Sequence, residues 1–460
     1  MMFQLPIAGV IVLPLLGALV SLGLSQRWRT GVSCVLIAVL LLNNVSLLFQ
    51  FYQHQGLFNE AMGSWPAPLG IELRVDGLTL IFSLMSALVA SLCALYARYY
   101  LSPTQLTLFW PFFWFLWTAL NSIWFSADLF NLYVGLELLS LAAVGLVALS
   151  RDVTSLAAAL RYLFAALLGS MGYLLGVALL YATYGTLSLP ELSQHFVLSL
   201  TSSVALGFML LGLLMKTAVF PMHSWLPPAH GGALTPVSAL LSALVIKASF
   251  YIVLRLWTAL SLDVASATAG MLMGLLGSAA ILWGGWMALH QTHLKLVVAY
   301  STLAQIGYFM LIFPLLSATD AHDSHLAFQG GILMLLSRGL ATAGMFLAAG
   351  NLLFCSGKKD LQSLAGLSRY RPLNIFAFGL AGVTIMGLPP SGGFNGKWLL
   401  IQSAVLQSQW LWVGVILLGS LCPLPIFSEF FRIAIARWKE AIPLNSLRRC
   451  LNGAPCACRF

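Results

Sequence analysis

The chain has 460 residues, of which 60% are hydrophobic and only 8% charged. An ordinary soluble protein is about 25% charged, and no globular fold of this size hides so much apolar surface behind so few charges. That excludes a soluble enzyme, a nucleic-acid-binding domain and a disordered regulator, and it makes the net charge of +9 a matter of membrane topology first.

The N-terminus is apolar at once, without a charged leader or a cleavage site, and reads as a retained first span. A crossing helix needs about 20 mostly apolar residues. By that rule thirteen spans are predicted, at roughly 5–25, 31–51, 77–97, 107–126, 128–149, 158–183, 201–226, 236–258, 265–289, 294–316, 326–354, 373–405 and 409–436. The expected fold class is therefore an all-α polytopic membrane protein. Only Ala127 and Asp128 separate the fourth and fifth spans, and the longest connection is the loop 52–76.

Sorting the charges by loop supports this count. The loops after odd-numbered spans, with the tail, hold thirteen bases: Arg27, Arg29, Arg98, Arg151, Lys358, Lys359, Arg369, Arg371, Arg437, Lys439, Arg448, Arg449 and Arg459. The opposite side holds only Arg74 and Arg255, with Glu60, Glu72, Asp76, Asp128, Glu191, Asp263, Asp320 and Asp323. Positive charge marks the cytoplasmic side, so the N-terminus is expected outside and the C-terminus in the cytoplasm of a cell (inner) membrane.

Two spans are interrupted. The seventh contains Lys216-Thr217-Ala218-Val219-Phe220-Pro221 and is followed by Trp225-Leu226-Pro227-Pro228; the twelfth contains Gly387-Leu388-Pro389-Pro390-Ser391-Gly392-Gly393-Phe394-Asn395-Gly396-Lys397. Proline removes a backbone donor and glycine loosens a helix. Broken backbone at membrane depth survives only against protein or a water-filled cavity. Breaks five spans apart suggest two five-helix units of inverted topology, a transporter pattern. The expected organisation is N-terminal helices over 1–106, a first repeat over 107–258, a second inverted repeat over 259–436, and a cytoplasmic tail over 437–460.

After this sorting Arg161, Lys216, Lys247, Lys295, Arg338, Lys397, Arg432, Glu137 and Glu429 remain within spans. Charges at mid-span are usually paired or functional. Glu137, Lys216, Lys247 and Lys397 are the first candidates: desolvation disfavours a charged lysine and a nearby carboxylate favours it, so a lysine alternating between the two takes up and releases a proton. Arg338 stays charged and reads as a fixed counter-charge. Lys295 sits near a helix end, where snorkelling also accounts for it, and Arg161 reads the same way. Glu429 lies three residues before Arg432, a spacing that permits an intrahelical pair. His223 and His230 titrate near neutrality and bracket the break, where they suit a proton entrance or a helix-end structural role.

Cys450, Cys456 and Cys458 in the tail lack a clustered His or fourth Cys, so no metal is expected. No phosphate-binding loop, dinucleotide fingerprint or catalytic triad is present, and no cofactor is expected.

The segment from Lys216 to Trp225, then Pro227, Ala229-His230 and Thr235-Pro236-Val237-Ser238-Ala239-Leu240-Leu241, with Lys247 and Arg255, resembles the signature of the antiporter-like membrane subunits. These occur in respiratory complex I, membrane-bound hydrogenases and multisubunit Mrp-type Na+/H+ antiporters. Leu294-Lys295, Ala299-Tyr300-Ser301-Thr302 and Gln305-Ile306-Gly307-Tyr308 resemble the same family, as do Gly387-Leu388-Pro389-Pro390 and Gly393-Phe394 with Gly396-Lys397. The likeness covers about residues 70–405. Trp65-Pro66-Ala67-Pro68-Leu69-Gly70-Ile71 before Val75-Asp76, and Asp128-Leu129-Phe130-Asn131-Leu132-Tyr133-Val134 before Glu137, resemble the D-type branch of the Mrp antiporters.

The resemblance implies fourteen spans, proton-translocating roles for Glu137, Lys216, Lys247 and Lys397, and partners that are other membrane subunits, protons and Na+. His223, His230, Lys295, Arg338 and Glu429 would then flank the proton path. The sequence departs from the family in its thirteen spans, in its polar tail, and in Arg338 and Thr342 where the eleventh span usually carries His and Lys. The expected function is a proton-translocating subunit of a multisubunit Mrp-type antiporter, not catalytic alone. Alternatives are the proton-pumping subunit of NADH-quinone oxidoreductase or a hydrogenase, a subunit energising inorganic carbon uptake, and a non-transporting scaffold.

Overall fold

The computed structural model describes residues 7–62, 65, 70–260, 267–317 and 321–435. The tail 437–460 with its three cysteines, positions 66–69 of the proline-containing motif, and Asp263 and Asp320 lie outside the described residues. Among the described residues, eleven helices are long and apolar enough to cross a membrane. They fall on the second to eleventh and the thirteenth predicted spans; shorter apolar helices, Gly9–Gly23 and Pro372–Met386, stand at the first and twelfth. The protein is thus a nearly all-helical polytopic membrane protein.

The contacts divide the chain into two units, Met1–Thr217 with Leu244–Leu262, and Ala218–Ala243 with Asp263–Phe460. The dividing point lies within the Thr235–Ala259 helix, inside a five-residue π turn, Leu241–Val245. A π turn inserts an extra residue into the helical ladder and often accompanies function. Lys247 follows it closely.

In the first unit α1 (Gly9–Gly23) packs on α4 (Pro103–Phe125). The core face of α4 is aromatic: Trp114 and Trp117 stack with centroids 5.7 Å apart. The indole N–H of Trp114 donates to Ser33 (3.1 Å), and that of Trp124 to Ser86 (2.9 Å). Such bonds matter here because lipid offers no alternative partner. The abrupt change from α4 to α5 (Leu129–Val147) is explained by Asp128, whose side chain accepts from the Asn131 amide at 2.8 Å and caps the new helix. Ala127 makes backbone hydrogen bonds with Glu72 and Leu189, so the connection is held from both sides.

The 52–76 connection is more ordered than the loop expected from sequence. It contains an antiparallel pair, β1 (Phe58–Ala61) and β2 (Glu72–Val75), with Phe58 opposite Val75. Leu73 and Val75 are buried while Glu72 and Arg74 are half-buried, a two-residue alternation too short to stand out in the sequence. Asp76 follows β2 and caps α3 (Gly77–Tyr100), accepting from the Thr79 amide at 2.9 Å.

Glycines set the closest helix approaches. On α6 (Val153–Tyr184) and α8 (Leu200–Thr217), a β-carbon on Gly212 would strike the Gly169 carbonyl, and one on Gly169 would lie 2.7 Å from the Gly212 carbonyl and 3.2 Å from Cγ of Lys216. Small residues let helix backbones meet in this way in membranes. Gly212→Leu should therefore cost at least the about 1–3 kcal/mol typical of overpacking, because the obstacle is backbone that no rotamer change can clear. Gly207→Leu on the same helix meets open space and should be neutral. Thermal unfolding of the two purified variants checks this contrast.

In the second unit the same device joins α11 (Ala267–Leu289) to α12 (Leu294–Leu316) at Gly277 and Gly307. It also joins α13 (Ala321–Ser356) to α15 (Gly392–Leu406) at Gly330 and Gly396. The predicted span 373–405 is two 15-residue helices, α14 (Pro372–Met386) and α15, separated by a turn. Gly387 ends α14 with φ +74°, and Ser391 caps α15 by accepting from the Phe394 amide.

Candidate functional site

In the first unit the helical path ends at Thr217, and Ala218 takes a left-handed φ of +59°. This break leaves Lys216 on the last turn of α8, where it is only 7% exposed. Its Nζ donates to Ser140 Oγ at 2.7 Å and to the Leu136 carbonyl at 3.4 Å. Ser140 in turn donates to the Leu136 carbonyl at 2.7 Å. Glu137, half-buried on the same helix, interacts electrostatically with Lys216, but no ion pair joins them among the described residues. On α5 residue 137 is rotated by about 100° from residue 136 and by about 60° from residue 140, and the ammonium is taken up by Ser140 Oγ and the Leu136 carbonyl instead. Lys247, also in this unit, is 2% exposed. Near it Ser249 accepts from Thr217 Oγ1 at 2.9 Å.

The second unit builds a different site around its own break. Lys397 on α15 is 4% exposed, and its Nζ donates to the Met386 carbonyl and to Ser420 Oγ, each at 2.7 Å. The Met386 carbonyl is available because α14 ends there. A β-carbon on Gly387 would lie 2.7 Å from Cδ of Lys397, so this position requires glycine for space as well as for its φ. The ammonium also lies 4.6 Å from the centroid of the Tyr308 ring. Arg338, fully buried on α13, places its guanidinium carbon 4.2 Å from the same centroid. Cations are attracted to a ring face, so Tyr308 is the common neighbour of both bases.

The remaining sequence candidates are more dispersed. Lys295, half-buried, donates to the Ala233 carbonyl at 3.0 Å. His230 is fully buried and stacks on Phe346, with centroids 4.9 Å apart. His223 is half-buried and stacks on Phe220 at 5.5 Å. Glu429 accepts from Arg432 at 2.6 and 2.8 Å on an exposed helix face, the intrahelical pair that the spacing permits. Arg161 is exposed.

The family described as NADH:quinone oxidoreductase/Mrp antiporter, TM matches residues 126–422, more than half of the chain and all of these positions but Glu429 and Arg432. The protein belongs to this family. Members similar to it include the N-type chain of NADH-quinone oxidoreductase from Desulforudis audaxviator, 33% identical over 87% of this chain and 79% of that protein. Another is the D-type chain of the Na(+)/H(+) antiporter from Alkalihalophilus pseudofirmus, 27% identical over 87% of this chain and 80% of that protein. A chain of the Mrp complex from Dietzia sp. DQ12-45-1b shares the fold, with a TM-score of 0.87, 24% identity, and coverage of 95% of this chain and 81% of that one.

Three residues of this family member were not singled out by the sequence reading: Ser140, Ser420 and Tyr308. Serine in an apolar helix ordinarily bonds back to its own backbone, and both serines do so here as well. Nothing local distinguishes one that also receives a lysine. Tyr308 belongs to the Gln305-Ile306-Gly307-Tyr308 motif, but its contact with two cations depends on three helices meeting.

Proposed function

We propose that this chain is the proton-translocating subunit of a multisubunit membrane complex, of the D type found in Mrp Na+/H+ antiporters. The observation that carries the reading is Lys216: a buried ammonium at a broken helix end, held by a serine hydroxyl and a backbone carbonyl, with Glu137 on the adjoining helix. A neutral cradle of this kind leaves the charge of the lysine free to respond to the carboxylate. Movement of Glu137 toward Lys216 holds the proton; movement away releases it toward Lys247. Lys397 plays the corresponding part in the second unit, with Lys295, Arg338, His223, His230 and Glu429 as flanking residues. The two broken helices support an organisation as two inverted five-helix repeats, and the loop charges support an outside N-terminus and a cytoplasmic C-terminus.

The Mrp reading is supported by the relatives named as D-type antiporter chains. The 33% identity to an N-type oxidoreductase chain favours a second reading, in which the same groups serve a redox-driven pump. Affinity purification from native membranes separates them: small antiporter subunits are expected to co-purify, and redox subunits would establish the second reading. In vesicles carrying the intact complex, an imposed Na+ gradient should drive a proton flux that a pH-sensitive dye records. If the flux persists unchanged when Glu137, Lys216 and Lys397 are all neutralised, the chain is a scaffold.

A further inference from the structure

Among the described residues, the second unit buries two cations, Arg338 and Lys397, with no carboxylate paired to either. Its described carboxylates are all engaged elsewhere: Glu429 with Arg432, Asp360 facing His293 at 3.5 Å, and Asp323 facing His322 at 3.7 Å. Arg338 and Lys397 instead share the Tyr308 ring. Because Arg338 is fully buried within its own chain and Lys397 is 4% exposed, no neighbouring subunit reaches them easily with an acid.

A ring face meets only part of what a guanidinium requires. Arg338 carries five N–H donors; the Tyr308 hydroxyl is the one side-chain partner they face among the described residues, and none of the three nitrogens makes a well-aligned hydrogen bond to it. The Tyr308 hydroxyl faces Arg338 and Ser420, and both amide atoms of Gln305 are buried without hydrogen-bond partners. Unsatisfied buried donors are costly, and charged ones most of all. These three side chains line one cavity of about 30 Å³, whose other walls include Phe378, Ile385 and Phe427. By that measure it has room for roughly two water-sized bodies.

The geometry points to a binding site for one small monovalent anion of the halide class, held by Arg338, the Tyr308 hydroxyl and the Gln305 amide. The surplus is of donors and of positive charge, which selects an anion over a cation. The small volume excludes phosphate and sulfate, and the apolar walls disfavour a strongly hydrated ion. Lys397, which does not line the cavity, adds to the positive field from the same tyrosine. The ion supplies the counter-charge that the unit's described carboxylates do not.

The test uses the purified complex containing the full chain, in detergent with gluconate as the sole anion, titrated with radiolabelled chloride. Wild type should show a saturable site, and Arg338→Leu should weaken it by at least about tenfold, the scale of one charge-assisted hydrogen bond. Tyr308→Phe keeps the ring and its packing but removes the hydroxyl; it should weaken binding severalfold while leaving the unfolding temperature in gluconate unchanged. Arg338→Lys should retain measurable binding. Chloride binding that is absent in wild type, or identical in wild type and Tyr308→Phe, overturns the site. The titration is made without an ion gradient, so its outcome is independent of the transport reading.

Discussion

Lys216→Ala should reduce proton-coupled transport to the background of empty vesicles while the complex still assembles. The side chain donates to Ser140 and Leu136 from a buried position, and truncation removes the group to which the proposed function gives the proton. The more informative variant is Lys216→Arg. Arginine keeps the positive charge and the donor, so it preserves any structural pairing, but it does not deprotonate in proteins. A proton carrier is therefore lost in both variants, whereas a structural cation is rescued by arginine. Ser140→Ala removes one hydrogen bond to a charged group, worth about 1.5–3 kcal/mol, and should slow transport by roughly tenfold or more without abolishing it. Dye-monitored flux in vesicles, normalised to assembled complex, gives all three values. Full transport by Lys216→Ala would end the mechanism.

Asp76→Ala should be among the most destabilising single changes in the first unit. The carboxylate receives both terminal nitrogens of Arg255, at 2.5 and 2.6 Å, and faces Arg74 at 3.3 Å. Arg255 also donates to Thr79 and to the Tyr251 hydroxyl. Removing one partner of a fully buried ion pair costs about 3–5 kcal/mol, chiefly because the other charge is left unpaired; this pair is only half-buried. The bonds to Thr79 and Tyr251 place the expected loss toward the lower end. Asp76→Ala combined with Arg255→Met should cost less than Asp76→Ala alone, because the stranded charge is gone.

The same pair sets an acid limit. Burial pushes the Asp76 carboxyl up, but the hydrogen bonds and charge of Arg255, the Thr79 amide and Arg74 outweigh it and hold the group at about 2, below its usual 3.8. A depressed carboxylate contributes stability that is complete above the unfolded value and lost as pH falls through the folded one. The contribution, about 2 kcal/mol, should be constant at neutral pH and disappear between about pH 4 and pH 2. Unfolding temperatures of wild type and Asp76→Asn should therefore converge over that acid window. A difference that stays constant down to pH 2 would refute the assignment.

The Asp76–Arg255 pair also explains the two exceptions in the loop-charge pattern. Arg74 and Arg255, the only bases assigned to the acidic side, both face one carboxylate. What the sequence by itself determined is therefore considerable: the membrane class, the positions of the helices, the two breaks and the small set of bases buried between them. Each follows from a local property, such as apolar length, the missing N–H of proline or the freedom of glycine.

Partner choice was decided only by the tertiary structure. Lys216 meets Ser140 rather than Glu137, three residues earlier on α5. Arg338 and Lys397 meet at Tyr308 because three helices converge there, and Asp76 finds Arg255 across 179 residues of sequence. In an apolar chain nearly every helix face is hydrophobic, so hydropathy carries almost no information about helix rotation. That rotation is set by glycine contacts such as Gly169 with Gly212, which exist only once two helices have met.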